Sequence, residues 1–183
     1  MVVLTRHKIA HWHVADSSRL YGINDWGAGY FGLSDKGEVT VVTSQNTQPL
    51  ETPLMDIVAG LEQRGHAMPV LLRIENLLDE RIALLNKTFA AAINELGYQG
   101  EYRGVFPIKV NQQCHVVEEI TKFGAQYHHG LEAGSKAELI IAMSHLRDSE
   151  ACIVCNGYKD AEFVELGLHA RKLGLKCFFV IET

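Results

Sequence analysis

From Met68 onward, short apolar runs alternate with helical patterns, and this alternation confines the chain to a parallel α/β architecture. The runs fall at 68–74, 103–110, 127–132, 151–155 and 176–182. After the first, Leu78, Ile82, Leu85, Phe89, Ile93 and Leu96 step by three or four and predict one apolar helix face. Ser135-Lys136-Ala137-Glu138 is an S-x-x-E capping box opening a helix that carries Leu139, Met143 and Leu146. Phe163, Leu166, Ala170 and Leu173 stripe the next helix, which Gly174 can end. Strands joined by helices run parallel, because only a crossover of about a dozen residues or more returns the chain to the same end of a sheet. An open doubly wound sheet and an eight-stranded (β/α) barrel of TIM type both satisfy this pattern. Five strands do not close such a barrel, so the barrel reading also makes the chain a partial barrel and a fragment.

The first 66 residues have another texture. Aromatic residues and glycine crowd Tyr21 to Gly32, and Ser34-Asp35-Lys36-Gly37 predicts a hairpin turn between Tyr30-Phe31 and the alternating Glu38 to Thr43. A polar loop follows, and Thr52 is positioned to cap a helix with Pro53 at its first position and Gly65 at its end. The expected division is therefore a β-rich lead-in over 1–66 and the α/β portion over 67–183.

At 183 residues and 47% hydrophobic content, a chain of this kind buries a substantial core. A net charge of −5 with scattered Lys and Arg argues against nucleic acid as a partner. Met1 to Leu4 is too short for a signal-peptide core, and no run approaches the ~20 apolar residues that span a bilayer, so no membrane partner and a cytoplasmic location are expected. Cys152-Ile153-Val154-Cys155 is a CxxC, but inside an apolar strand residues three apart face opposite ways, which favours reduced thiols over a metal or redox pair. Gly27-Ala28-Gly29-Tyr30-Phe31-Gly32 matches GxGxxG without the preceding strand or following helix of a nucleotide site. The pairs His11/His13 and His128/His129 have no converging ligand set, and no protein-defined metal site is expected.

In either architecture, chemistry belongs at the C-terminal ends of the strands. Lys109 lies in an otherwise apolar run, where burial would favour the neutral amine that a Schiff-base lysine needs. A lysine snorkelling from a strand end is the other reading. Pro107 gives up a ladder hydrogen bond and wants a local reason. Glu132 falls one βα unit later, at the same rim, either as an acid acting on the lysine or its ligand or as a plain ion-pair partner. Glu138 is first the capping partner of Ser135, and Asn156-Gly157 is a polar rim turn that is also ordinary turn chemistry.

Three rim segments together carry a resemblance: Pro107-Ile108-Lys109-Val110-Asn111-Gln112, Gly130-Leu131-Glu132-Ala133-Gly134-Ser135-Lys136-Ala137-Glu138, and Cys155-Asn156-Gly157-Tyr158-Lys159-Asp160. They resemble the biosynthetic arginine decarboxylase family, pyridoxal-phosphate enzymes with an alanine-racemase-like barrel and a second β-domain. Trp26-Gly27-Ala28-Gly29-Tyr30 resembles its lead-in. The resemblance implies Lys109 as the catalytic, cofactor-bearing lysine, with Glu132, Ser135 and Asn156 in cofactor binding. It implies L-arginine as substrate, agmatine and carbon dioxide as products, magnesium as a second cofactor, and a homo-oligomer in the full-length form. Phe106 and Cys114 depart from the Tyr and the basic residue usual in that family. The family's Gly-rich phosphate loop, its carboxylate for the pyridine nitrogen and its substrate residues lie beyond the matching segments. Catalysis by the 183-residue chain alone is therefore not expected. Two alternatives stay open: a non-catalytic piece that associates with a full-length homologue, and a decarboxylase for lysine, ornithine or diaminopimelate.

Overall fold

A computed structural model of the chain describes residues 12–45 and 48–182. The Met1–Leu4 run and His11 lie outside the described residues. Two compact units divide between Leu77 and Leu78.

In the first unit, helices α1 (Val14–Leu20) and α2 (Ile23–Trp26) precede a three-stranded antiparallel sheet of β1 (Phe31–Leu33), β2 (Val39–Gln45) and β3 (Gln48–Pro53) in the order β1-β2-β3. The expected hairpin forms, pairing Phe31 with Val41 and Leu33 with Val39. The GxGxxG segment is the turn from α2 into β1: Ala28 and Gly29 take positive φ, and Gly27 packs where an added Cβ would lie 2.4 Å from the Ile23 carbonyl. Two expectations need correction. The polar stretch before Pro53 is strand β3, paired along β2. Thr52 belongs to that strand, so Pro53 stands at the cap position of α3 (Leu54–Gln63) and makes no side-chain cap bond. The 68–74 run carries no strand pairing, and Leu71 is 77% exposed. Apolar texture alone does not supply a ladder partner.

The second unit begins within the first turn of α4 (Glu75–Leu96), which leads to a parallel sheet of β4 (Val105–Pro107), β5 (Gly130–Ala133), β6 (Cys152–Cys155) and β7 (Lys176–Phe179), in that order. Helices α5 (Cys114–Gly124), α6 (Lys136–His145) and α7 (Ala161–Lys172) make the crossovers. The described sheet therefore has four strands where five were expected, still in the β/α order of a partial barrel. Alternation along the strands turns Leu131, Ala133, Ile153, Cys155 and Cys177 into a core shared with Ile108, Val117, Leu139 and Phe163. The strands' other face carries Glu132, Val154 and Phe178, the last 55% exposed. The long α4 face is only partly used: Ile82 is buried, whereas Leu85, Phe89 and Leu96 are exposed.

Candidate active site at the strand ends

The β4 ladder ends where its chemistry requires. Pro107 pairs with Glu132 as the last registered residue, has no N–H to extend the ladder, and hands the chain to a 3-10 turn over Ile108–Val110. Ile108 is fully buried beneath the sheet's end and anchors that turn. Lys109 thus sits on a turn and not within a strand, and its side chain is 60% exposed. The burial invoked to favour a neutral amine is absent.

What the parallel order does supply is a neighbour. The Lys109 ammonium lies 3.5 Å from Glu132 Oε1, and the Glu132 side chain is only 15% exposed. The same oxygen accepts a long 3.4 Å hydrogen bond from the Asn156 amide, which arrives from the end of β6. Three consecutive strand ends therefore meet at one carboxylate. Ser135 stands beside them but is engaged: its hydroxyl caps α6 by accepting from the Glu138 N–H at 3.2 Å. Glu138 reaches back to accept from the Gly134 N–H at 2.6 Å, one residue earlier than in a standard capping box.

Sequence reasoning missed a second set of contacts. Lys136 reaches across to Asp160 Oδ2 at 3.0 Å and Glu162 Oε2 at 2.6 Å. Both carboxylates, Glu162 foremost, hold the Lys136 ammonium above its ordinary pKa. Asp160 is held below its ordinary value by the Phe163 N–H it caps and then by Lys136. Lys159 donates to the Gly157 carbonyl at 2.6 Å. The available signal was a lysine in the first turn of a helix, against the helix dipole, followed one unit later by Asp-x-Glu at the next helix start.

The donor set fits pyridoxal phosphate: an accessible primary amine for its aldehyde, with a carboxylate and an amide beside it. Among the described residues no three His, Cys, Asp or Glu side chains converge on one point. The CxxC divides as the alternation requires, with Cys155 buried and Cys152 half-buried. Cys155 instead touches Cys177, sulfur to sulfur at 3.4 Å, while Cys114 is exposed. No helix among the described residues is long and apolar enough to cross a membrane.

Residues 82–180 match the pyridoxal binding domain of pyridoxal-dependent decarboxylases. The biosynthetic arginine decarboxylase of Gloeobacter violaceus is 48% identical over 171 residues, covering 93% of this chain and 26% of that protein. That of Thermosynechococcus vestitus is 44% identical over 181 residues, 99% of this chain and 28% of its own. Among solved structures, biosynthetic arginine decarboxylase SpeA from Campylobacter jejuni superposes with a TM-score of 0.80 at 36% identity, covering 88% of this chain and 27% of that one. The chain spans about a quarter of the length of these relatives.

Proposed function

Because this chain belongs to the pyridoxal-dependent decarboxylase family, we propose that it contributes the cofactor-lysine portion of an enzyme that converts L-arginine to agmatine and carbon dioxide, feeding polyamine synthesis. The observation that carries this reading is the meeting of Lys109, Glu132 and Asn156 at the ends of β4, β5 and β6. Lys109 would hold the cofactor through its amine, and Glu132, Ser135 and Asn156 would line the site. When bound, pyridoxal phosphate supplies an electron sink for the pair of electrons left as carbon dioxide departs. Glu132 places a negative charge beside the Lys109 nitrogen and can accept a proton from it at Oε1. Asn156 fixes that carboxylate by donating its amide hydrogen to the same oxygen. Magnesium is implied by the family resemblance alone, and no step runs through it. A cytoplasmic setting and a homo-oligomer complete the proposal.

The proposal also divides the chain into a lead-in belonging to a second β-domain and the first half of a barrel from residue 67. One observation favours a second reading, association with a further homologous chain: β4 and β7 each have one strand neighbour among the described residues, leaving two open edges. Incubation with pyridoxal phosphate, borohydride reduction and peptide mass analysis against Lys109→Ala tests the main reading. Label concentrated on Lys109 is the expected result. Label spread over surface lysines in a folded chain, judged by circular dichroism, would overturn it.

A further inference from the structure

The turn after β5 and the turn after β6 touch backbone to backbone. An added Cβ at Gly157 would lie 2.0 Å from the Gly134 carbonyl oxygen and 2.5 Å from its carbon, so only glycine permits this approach. The approach matters because Gly157 follows Asn156, whose backbone N–H closes on the Ala133 carbonyl at 2.9 Å and whose side chain reaches Glu132. At 3.4 Å that last bond is long, and a small separation of the two turns breaks it.

Lys136 bridges the same two turns from outside. It is the first residue of α6, where a positive charge opposes the helix dipole and is locally unfavourable. Its partners Asp160 and Glu162 stand at the cap and first turn of α7, where negative charge is favoured. The lysine's position is thus explained by what it grips and not by its own helix. Asp160 divides its two oxygens, one capping α7 through the Phe163 N–H and the other holding Lys136. The start of one helix is thereby tied to the start of the next.

We propose that Lys136 is a positioning residue for the candidate site: by bridging Asp160 and Glu162 it presses the β5 and β6 turns together and keeps the Asn156 amide on the Glu132 carboxylate. The inference rests on the reading of Lys109 as the cofactor lysine. Lys136 itself bonds to Asp160 and Glu162 and not to Lys109 or Glu132, and acts through the backbone contact of Gly134 with Gly157.

The test compares the parent chain, Lys136→Met, Lys136→Arg, Asn156→Ala and the double variant Lys136→Met/Asn156→Ala. One readout is the initial rate of borohydride-trapped pyridoxal phosphate on Lys109, and the other is amide exchange over 156–160 without cofactor. Lys136→Met should slow Lys109 labelling by about two- to five-fold, the range open to an exposed ion pair, and Lys136→Arg should recover most of it. Exchange over 156–160 should rise in Lys136→Met and return in Lys136→Arg. The double variant should label no more slowly than Asn156→Ala, because both changes remove one contact. Additive losses, or parent-like rates and exchange in Lys136→Met, would overturn the positioning role while leaving Lys109 in place. If the parent chain carries no label on Lys109, the cofactor reading fails and this inference falls with it.

Discussion

Single residues at the strand ends make the sharpest demands. Gly157 has no room for a methyl group against Gly134, so Gly157→Ala must push two backbone segments apart. A loss of about 1–3 kcal/mol is expected, as for other overpacked sites, together with slower Lys109 labelling. Urea denaturation with parallel labelling checks both; unchanged stability would mean that the turns yield freely. The thiols give a second residue-scale prediction. Cys114 is the exposed one, Cys152 is half-buried, and Cys155 and Cys177 are buried. An aromatic disulfide reagent should therefore modify Cys114 first, and Cys155 and Cys177 only after denaturation. A hydrogen bond with Glu118, then slight desolvation and the charge of Glu118, hold the Cys114 thiol above its ordinary pKa. Glu118→Ala should lower that value, raise the thiolate fraction at neutral pH and speed the reaction. The side-by-side placement of Lys109 and Glu132 was legible because neighbouring parallel strands end at one rim. The exposure of Lys109 was not, since it depends on where Pro107 stops the ladder.

Elements were legible where periodicity and cap chemistry agreed. Helix α6 begins after Ser135 and α7 runs to the glycine turn at Gly174, as the sequence pattern implies. Strand β3 escaped notice because Gln48–Pro53 is polar and proline-rich, and its pairing with β2 is a tertiary fact. The 68–74 run misled for the converse reason, since its apolar residues are neither paired in a ladder nor buried, with Leu71 at 77% exposure. The segment joining α5 to β5 carries a pH-dependent element that no pattern reveals. His129 lies at 6% exposure between Gly104 and Gly124, whose added Cβ atoms would come within 2.5 and 2.7 Å of it. Burial holds its imidazole below the ordinary pKa, and its Nδ1 has no hydrogen-bond partner. A depressed folded value means that the unfolded chain binds the proton more readily. The stability His129 contributes is thus complete above the unfolded pKa of about 6.5 and is lost as pH falls through the folded value. Urea midpoints measured from about pH 7.5 downward should fall on the acid side of that range. His129→Gln should flatten this dependence; an identical slope in both proteins would place the titration elsewhere.

At the scale of the whole molecule, the unsatisfied surface sets the behaviour in solution. The parallel sheet has one strand neighbour at β4 and one at β7, so backbone donors and acceptors along both outer edges lack a ladder among the described residues. Apolar area is exposed as well. Phe178 stands 55% open on the sheet face opposite the helix-covered core, and on α4 Phe89 and Leu96 are 45% and 81% exposed. Phe89 stacks on Tyr102 at 4.1 Å, which holds the aromatic patch in place without covering it. Each such side chain contributes about 1.5–3 kcal/mol when moved fully from water into an apolar contact, so several must be covered together to offset an association cost of about 4–15 kcal/mol. A net charge of −5 opposes this only weakly at physiological salt, where the screening length is about 8 Å. The chain should therefore self-associate with rising concentration, and sedimentation velocity should show a weight-average mass above that of the monomer. Phe178→Lys and Leu96→Glu, each placing a charge on an exposed apolar position, should shift the distribution toward monomer while leaving the far-ultraviolet circular dichroism unchanged. If the parent chain stays monomeric across the accessible concentration range, neither the open edges nor the apolar patches drive association, and the reading of this chain as one that joins a homologous partner loses its physical basis.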